Sequence, residues 1–316
     1  MRSLKILAAV ALAVSATTAS AWAEFPEKPI TFIIPYGPGG TSDVGARTWG
    51  PFMEKCLGQP IVFVNKPGAG GELGFTELAA AAPDGYTIGA LNVPNYPAGT
   101  ITKPDAKYKL DSFVMIGNFY GSIVTINAKK GGQYDTLAKL VDAAKSGTNI
   151  NMAISNYGAD DHIKMLDFMK QAGVKFTFIP MSDAATSRNA VMGGHVDVSG
   201  NSMTEVVPFQ DELQTLAVAS EEERPELPGI PTFKEQGYDV FGGSNHVIGA
   251  PAGTPPEVVE KLSGCLSQVA ADPEFQKAAK ERSLLLNVMD AKQTTEWVQK
   301  ESERIKALWE SDPWTK

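Results

Sequence analysis

The sequence predicts an α/β protein of two lobes, each a sheet flanked by helices. Apolar, β-branched runs alternate with amphipathic or alanine-rich runs through most of the 316 residues, which is typical of parallel or mixed sheets with helices on their faces. The length suits two domains. Glycine-bearing stretches near residues 117–122 and 238–245 are predicted to cross between the lobes, with the glycines as hinges.

The first glycine loop, residues 35–40, follows a predicted strand and precedes a predicted helix. Ser42 and Asp43 are residue types that begin helices. Glycine lets the backbone approach a ligand closely, and the amides at a helix N-terminus attract anions. The order of strand, glycine loop and helix therefore predicts an anion site, although ordinary βα turns share that order.

Two further loops have the same design. The glycine loop 65–71 follows the strand 61–64, and the loop 155–159 precedes a helix that Asp160 or Asp161 is expected to cap. Loops at the carboxyl ends of parallel strands are where open α/β sheets bind ligands. Two glycine loops close together in the sequence predict two contact regions for one small anion.

Two predictions concern longer segments. Residues 113–127 read as one long β run with internal glycines, which could cross from one lobe to the other. The chain beyond Pro255 is predicted to be helical, with breaks near Pro273 and near Asp290.

The N-terminus has the three parts of an export signal. Arg2 and Lys5 give a positive start, and residues 6–14 form an apolar stretch that is too short to span a bilayer. Ala21-Trp22-Ala23 is a cleavage motif. We therefore expect an exported protein that is cleaved after Ala23.

Charge and the rarer residue types argue against several functions. The formal net charge of -8 argues against nucleic acid and against an anionic membrane surface as partners. Cys56 and Cys265 lie in separate predicted helices; they either form a disulfide, which export permits, or are buried thiols. His162, His195 and His246 are scattered, without metal or catalytic spacing. No metal, cofactor or catalytic residue is predicted.

A series of motifs extends from about residue 25 to the C-terminus. It comprises Phe25-Pro26-Glu27-Lys28-Pro29-Ile30, Pro35-Tyr36-Gly37-Pro38-Gly39-Gly40-Thr41-Ser42-Asp43, Asn65-Lys66-Pro67-Gly68-Ala69-Gly70-Gly71, Pro83-Asp84-Gly85-Tyr86-Thr87, Gly193-Gly194-His195-Val196-Asp197 and Ala250-Pro251-Ala252-Gly253-Thr254-Pro255. With these motifs the sequence resembles the solute-binding receptors of tripartite tricarboxylate transporters, also called Bug-type receptors.

That resemblance implies a two-lobed periplasmic binding protein fold, type II-like, in which each lobe is a mixed sheet flanked by helices and hinge crossings let the lobes close. The expected limits are 1–23 for the signal peptide, 24–121 and 241–316 for lobe 1, and 122–240 for lobe 2. The resemblance implies a periplasmic receptor, not an enzyme, that passes a small carboxylate to the membrane subunits of a transporter. We expect a monomer.

The resemblance also implies which residues contact the ligand. In the first two loops, backbone amides would hold a carboxylate at Tyr36, Gly39, Gly40, Thr41, Ser42, Asp43, Gly68, Ala69, Gly70 and Gly71. In the second lobe the expected contacts are Ser155, Asn156, Ala159, Asp160, Asp183 and Asn201. The sequence departs from the family pattern at 159–160 and 180–183 in the second lobe and at 244–247 after it, so no particular substrate is carried over.

Asp160 and Asp183 lead to a sharper hypothesis. An acid at a helix N-terminus is usually a cap. A carboxylate that faces the cleft would instead repel a second ligand carboxylate, and would suit a hydroxyl, an amine or a protonated acid.

Two other functions stay open at this point. A ligand sensor for a two-component system would share both fold and ligand. A secreted α/β enzyme is less favoured, because no Gly-x-Ser-x-Gly sequence occurs. The partial pattern that begins at Gly37 and Gly39 has Ser42 where a dinucleotide fingerprint has its third glycine.

Overall fold

The computed structural model describes residues 25–311 and 313–314. The predicted signal peptide, residues 1–23, lies outside them. Within the described residues the strands are β1 (Ile30–Ile34), β2 (Ile61–Asn65), β3 (Thr87–Val93), β4 (Phe113–Gly121), β5 (Val124–Lys129), β6 (Ile150–Ile154), β7 (Phe176–Pro180), β8 (Val198–Ser202), β9 (Leu213–Val218), β10 (Asn245–Pro251) and β11 (Leu285–Met289).

The α-helices of the same residues are α1 (Thr41–Leu57), α2 (Glu72–Ala79), α3 (Asn95–Thr102), α4 (Leu137–Lys145), α5 (Asp160–Ala172), α6 (Ala184–Gly193), α7 (Met203–Val206), α8 (Pro256–Ala270), α9 (Pro273–Glu281) and α10 (Ala291–Ser311). Gly58, Gly173 and Gly194 end α1, α5 and α6 in the left-handed conformation that glycine adopts without strain. Among the described helices, none is both long and apolar enough to cross a bilayer.

The strands form two mixed sheets, which confirms the predicted fold class. The first has the order β11-β4-β10-β3-β1-β2, and the second has the order β7-β6-β8-β5-β9. In the first sheet β1 is parallel to β2 and β3, while β10 is antiparallel to its neighbours β3 and β4. In the second sheet β6 is parallel to β7 and β8, while β5 is antiparallel to β8 and β9.

The single long strand predicted for residues 113–127 is wrong. The chain forms β4 in the first sheet, leaves it at Ser122 and Ile123, and continues as β5 in the second sheet. Both β4 and β5 are apolar and buried, so the apolar sequence pattern continues through the connection between them and does not reveal it. The prediction that this segment connects the two lobes is correct.

The helical prediction beyond Pro255 is wrong at one point. Leu285–Met289 forms β11, which pairs with the edge of β4. A leucine-rich run favours a helix by local propensity, but pairing to an open sheet edge decides the outcome here. The predicted breaks near Pro273 and Asp290 coincide with the starts of α9 and α10.

The two crossings between the sheets lie side by side. The amide of Ser122 donates to the carbonyl of Ser244 at 2.7 Å, and the amide of Val124 donates to the carbonyl of Gly242 at 3.1 Å. A Cβ at Gly243 would lie 2.5 Å from the carbonyl oxygen of Ser122, so only glycine permits this approach. The lobe limits expected from the sequence stay a prediction.

Each sheet has its own core. In the first, the Trp49 ring stacks on Phe119 with ring centres 5.6 Å apart, beneath α1. In the second, Phe168 of α5 packs on Phe233 with ring centres 5.3 Å apart. Separate cores are what two lobes require in order to move as units.

Cys56 and Cys265 form a disulfide, which resolves the alternative left open by the sequence. It joins α1 to α8 on one side of the first sheet, with a Cα–Cα distance of 5.8 Å. The two residues are 209 positions apart in the chain. The whole second sheet lies between them in the sequence.

Candidate functional site

A cavity of about 70 Å³ lies between the two lobes. The first lobe lines it with Tyr36, Gly37, Pro38, Gly40, Thr41, Ser42, Gly70, Asn92, Asn95 and His246. The second lobe lines it with Ser155, Asn156, Asp160, Ser182, Asp183, Ala184, Ala185, Ser202 and Glu205, and Ser244 lies on the return crossing. A cavity of this size has room for a few waters or for a small organic molecule.

The structure brings most, but not all, of the sequence-predicted site residues to this cavity. Those that line it are Tyr36, Gly40, Thr41, Ser42, Gly70, Ser155, Asn156, Asp160 and Asp183. The others do not line it: Gly39, Asp43, Gly68, Ala69, Gly71, Ala159 and Asn201. Contact with a ligand stays a prediction for all of them.

The N-terminus of α1 opens into the cavity. The helix begins at Thr41 with Gly40 as its N-cap, one residue before the predicted start. Among the described residues, the amide of Ser42 has no hydrogen-bond partner. An unpaired amide at a positive helix end favours an anion.

Asp43 acts behind the cavity wall. Its Oδ2 accepts from the amide of Gly39 at 3.0 Å, and its Oδ1 accepts from Arg47 at 2.9 Å and from Asn65 at 3.0 Å. Asn65 also donates to the carbonyl of Tyr36 at 3.0 Å. Asp43 is therefore a clamp between the first two glycine loops.

The second glycine loop touches the opposite lobe at one residue. Gly68, Ala69, Gly70 and Gly71 all have positive φ, which turns the loop sharply before α2. A Cβ at Gly70 would lie 1.8 Å from Nδ2 of Asn156. A side chain at position 70 would therefore force Asn156 of the other lobe to move.

Asp183 both caps α6 and lines the cavity. Its Oδ1 accepts from the amide of Thr186 at 2.8 Å, so it is the N-cap of α6. Its Oδ2 faces the first lobe, 3.5 Å from where a Cβ on Gly37 would lie. In the described part of the chain the amides of Ala184 and Ala185 are unpartnered and line the cavity.

Asn201 supports α6 rather than the cavity surface. It is buried on β8, and its Nδ2 donates to the carbonyl of Ala184 at 3.0 Å. Its Oδ1 accepts from Ser199 at 2.7 Å. It fixes the position of a helix end that does line the cavity.

The two acids at the start of α5 have different positions. The predicted acidic cap is wrong, because Ala159 is the N-cap and its side chain makes no capping bond. Asp160 lines the cavity and accepts from the Ser122 hydroxyl at 3.3 Å. Asp161 turns inward and accepts from the amide of Ser155 at 2.6 Å. Burial raises the pKa of both carboxyls, and the charge of Asp160 raises that of Asp161 further.

Glu205 is a cavity residue that the sequence analysis missed. Its Oε1 accepts from the amide of Thr41 at 3.4 Å and from the Thr41 hydroxyl at 3.2 Å, across the cleft. Its Oε2 accepts from the amide of Ser202 at 3.3 Å in a capping box. Burial raises the pKa of Glu205, and so does the charge of Asp160. The Ser-x-x-Glu spacing of that box was the available signal.

His246 and Asn92 are further cavity residues that the sequence analysis missed. Nδ2 of Asn92 donates to Ser42 Oγ at 2.9 Å and lies 3.0 Å from His246 Nδ1. The imidazole stacks on Tyr120 with ring centres 4.3 Å apart. Burial lowers the pKa of His246 to about 3, so the ring is neutral at pH 7.

Three acidic side chains line the cavity, those of Asp160, Asp183 and Glu205. No lysine or arginine of the described residues lines it. Arg188 lies outside, with its guanidinium 4.1 Å from the centre of the Phe209 ring. Among the described residues, no three side chains of the types that bind metals are grouped closely enough to hold an ion.

Comparison with known proteins identifies the family of this chain. The family model described as "Tripartite tricarboxylate transporter family receptor" matches residues 46–312. The chain belongs to this receptor family. It is 31% identical over 266 residues to the protein BugT of Bordetella pertussis, which covers 81% of the chain and 78% of BugT. It is 29% identical over 317 residues to "UPF0065 protein in gbd 5'region" of Cupriavidus necator, which covers 96% of the chain and 93% of that protein.

Solved structures of similar proteins have the same architecture. The periplasmic binding protein BugD superposes with a TM-score of 0.82 at 30% identity, covering 91% of this chain and 98% of BugD. MatC from Rhodopseudomonas palustris, solved with bound malate, superposes with a TM-score of 0.82 at 27% identity, covering 90% of this chain and 99% of MatC. These relatives are binding proteins.

Proposed function

We propose that this receptor captures a small carboxylate in the cavity between its lobes and delivers it to the membrane subunits of a tripartite tricarboxylate-type transporter. The observation that carries the proposal is the amide of Ser42 at the N-terminus of α1, which has no partner among the described residues, in a cavity lined by both lobes. Tyr36, whose buried hydroxyl also has no partner among these residues, lines the same cavity. Helix amides there can replace the water that a carboxylate loses on binding.

The proposal includes the route and the form of the protein. Residues 1–23 direct export to the periplasm and are removed after Ala23, and the receptor acts as a monomer without catalysing a reaction. Both lobes contact the ligand, so the closed arrangement binds it more tightly than an open one. The malate bound to MatC supports a carboxylate as the ligand class.

A thermal-shift screen tests this function. The purified protein is unfolded and refolded to remove carried-over ligand, and is then heated with monocarboxylates, dicarboxylates, tricarboxylates, aromatic acids and amino acids. A specific acid is expected to raise Tm in proportion to the logarithm of its concentration above Kd. If no acid shifts Tm, the carboxylate function is refuted.

A further inference from the structure

The polar groups of the cavity fall into two sets with different chemistry. The donor wall consists of Tyr36, Ser42 and Gly70 of the first lobe, and it has no ionised side chain; Thr41 also lines this side, but its amide and hydroxyl already donate to Glu205. The acid wall consists of Asp160, Asp183 and Glu205 of the second lobe. A ligand between these walls meets hydrogen-bond donors on one side and carboxylates on the other.

The acid wall is held in place by protein contacts. Asp183 is fixed as the N-cap of α6, and Glu205 is fixed by its capping box and by Thr41 across the cleft. Asp160 is held by the hydroxyl of Ser122 on the crossing between the lobes. These bonds hold the three acidic side chains at the cavity.

Asn92 supplies an independent observation. Its side chain lines the cavity and is only 5% exposed. Its Nδ2 is used by Ser42 and lies beside His246, whereas its Oδ1 has no partner among the described residues. A buried carbonyl oxygen without a partner is costly, and only a hydrogen-bond donor satisfies it.

A second carboxylate on the ligand would fit this surface badly. It would bring another negative charge beside three acidic side chains in a small buried space, and it offers only acceptors to Asn92 Oδ1. Two basic side chains are close enough to act on these acids, Arg188 on Glu205 and Lys164 on Asp160, but neither lines the cavity. A protonated amine has the opposite character, because its N–H groups can donate to these acids and to Asn92 Oδ1.

We propose that the ligand is an organic acid that also carries a protonated amine, with the amine among Asp160, Asp183 and Glu205 and in reach of Asn92 Oδ1. The inference rests on the proposed carboxylate-receptor function, because the donor wall takes the carboxylate. The inference distinguishes this receptor from one that binds dicarboxylates. The second lobe would select the amine of the ligand.

Isothermal titration with matched pairs of acids tests the inference. β-Alanine is compared with malonate and γ-aminobutyrate with succinate, so that an amine replaces a carboxylate. Alanine is compared with lactate and aspartate with malate, so that an amine replaces a hydroxyl. The acid that binds most tightly in the wider thermal screen is judged by the same criterion.

In at least one pair the amine is expected to bind about tenfold more tightly than its partner, the effect of one charge-assisted hydrogen bond. A dicarboxylate or hydroxy acid that binds equally well or better in every pair would overturn the inference and leave the carboxylate function standing. If no acid binds at all, the carboxylate function itself has failed.

Asp183→Asn sharpens the test, because asparagine is as good an N-cap as aspartate and α6 should keep its start. The affinity of the amino acid should fall about tenfold, while the matched dicarboxylate or hydroxy acid keeps or gains affinity. Asp135→Asn is the matched control: it removes one negative charge from an exposed site of the second lobe, outside the cavity. Equal effects of the two substitutions would contradict the proposal.

Discussion

The first lobe offers the cavity a helix end, two glycine loops and a neutral histidine, whereas the second lobe offers three carboxylates and the start of α6. Both lobes are sheets flanked by helices, and both present loops from the ends of parallel strands. The same architecture thus supplies two different surfaces. The comparison teaches that one backbone architecture can give two surfaces of different chemistry, because the side chains at the helix starts differ.

The largest expected effect concerns the stability of the first lobe. The double substitution of Cys56→Ser and Cys265→Ser removes the disulfide of that lobe and should lower the free energy of unfolding by about 2–5 kcal/mol. Urea unfolding followed by tryptophan fluorescence measures it. Reduction of the natural protein should match the double variant, and a change below about 0.5 kcal/mol would show that the link adds nothing.

Gly70→Ala tests whether close approach of the two lobes matters for binding. The new Cβ needs the space of the Asn156 amide, so ligand affinity should fall by about 10- to 100-fold. Gly131→Ala is the matched control, because Gly131 has the same φ of 71° but has nothing within 4 Å of the Cβ position. Titration calorimetry on both variants separates backbone strain from lobe contact; similar affinities would refute the contact.

His246→Gln tests whether the first lobe stays uncharged on its cavity side. The pKa of His246 is lowered from 6.5 to about 3, so below pH 6.5 the unfolded chain binds a proton that the folded chain does not. Stability is therefore lost as pH falls, by up to about 1.4 kcal/mol per unit for this group. The variant should show a flatter decline between pH 6.5 and 4.5 in urea unfolding; parallel curves would mean a charged His246.

The smallest expected effect lies at the crossing between the lobes. Ser122→Ala removes the hydroxyl that donates to Asp160 and accepts from the amide of Ser244. The free energy of unfolding should fall by about 1 kcal/mol, the usual worth of such bonds. Thermal unfolding measures this, with Ser146→Ala as the control. Its exposed hydroxyl donates to the carbonyl of Ala143 at the end of α4, where water can replace the bond, so the loss should be smaller.

Local patterns were sufficient for the fold class and for half of the cavity. The order of strand, glycine loop and helix is written within about ten residues, and it places Tyr36, Gly40 and Ser42 at one end of the first sheet. The same reasoning places Asp183 at the start of α6. Each of these residues needs only its own βα unit to reach the cavity.

The residues that sequence reasoning missed are joined by long-range topology. His246 meets Asn92 because β10 returns to pair with β3, with the two residues opposite each other and 154 positions apart. Glu205 meets Thr41 across 164 positions and from the other lobe. The strand β11 formed where an open edge of β4 was available. No local sequence pattern predicts any of these contacts.

The disulfide described above has a topological consequence. With Cys56 bonded to Cys265, the chain between them is a covalent ring that contains every strand of the second sheet. A protease that cuts once anywhere in this ring opens it but releases no fragment, so both lobes stay on one molecule. Such a nick separates the chain into two bands only after the disulfide has been reduced.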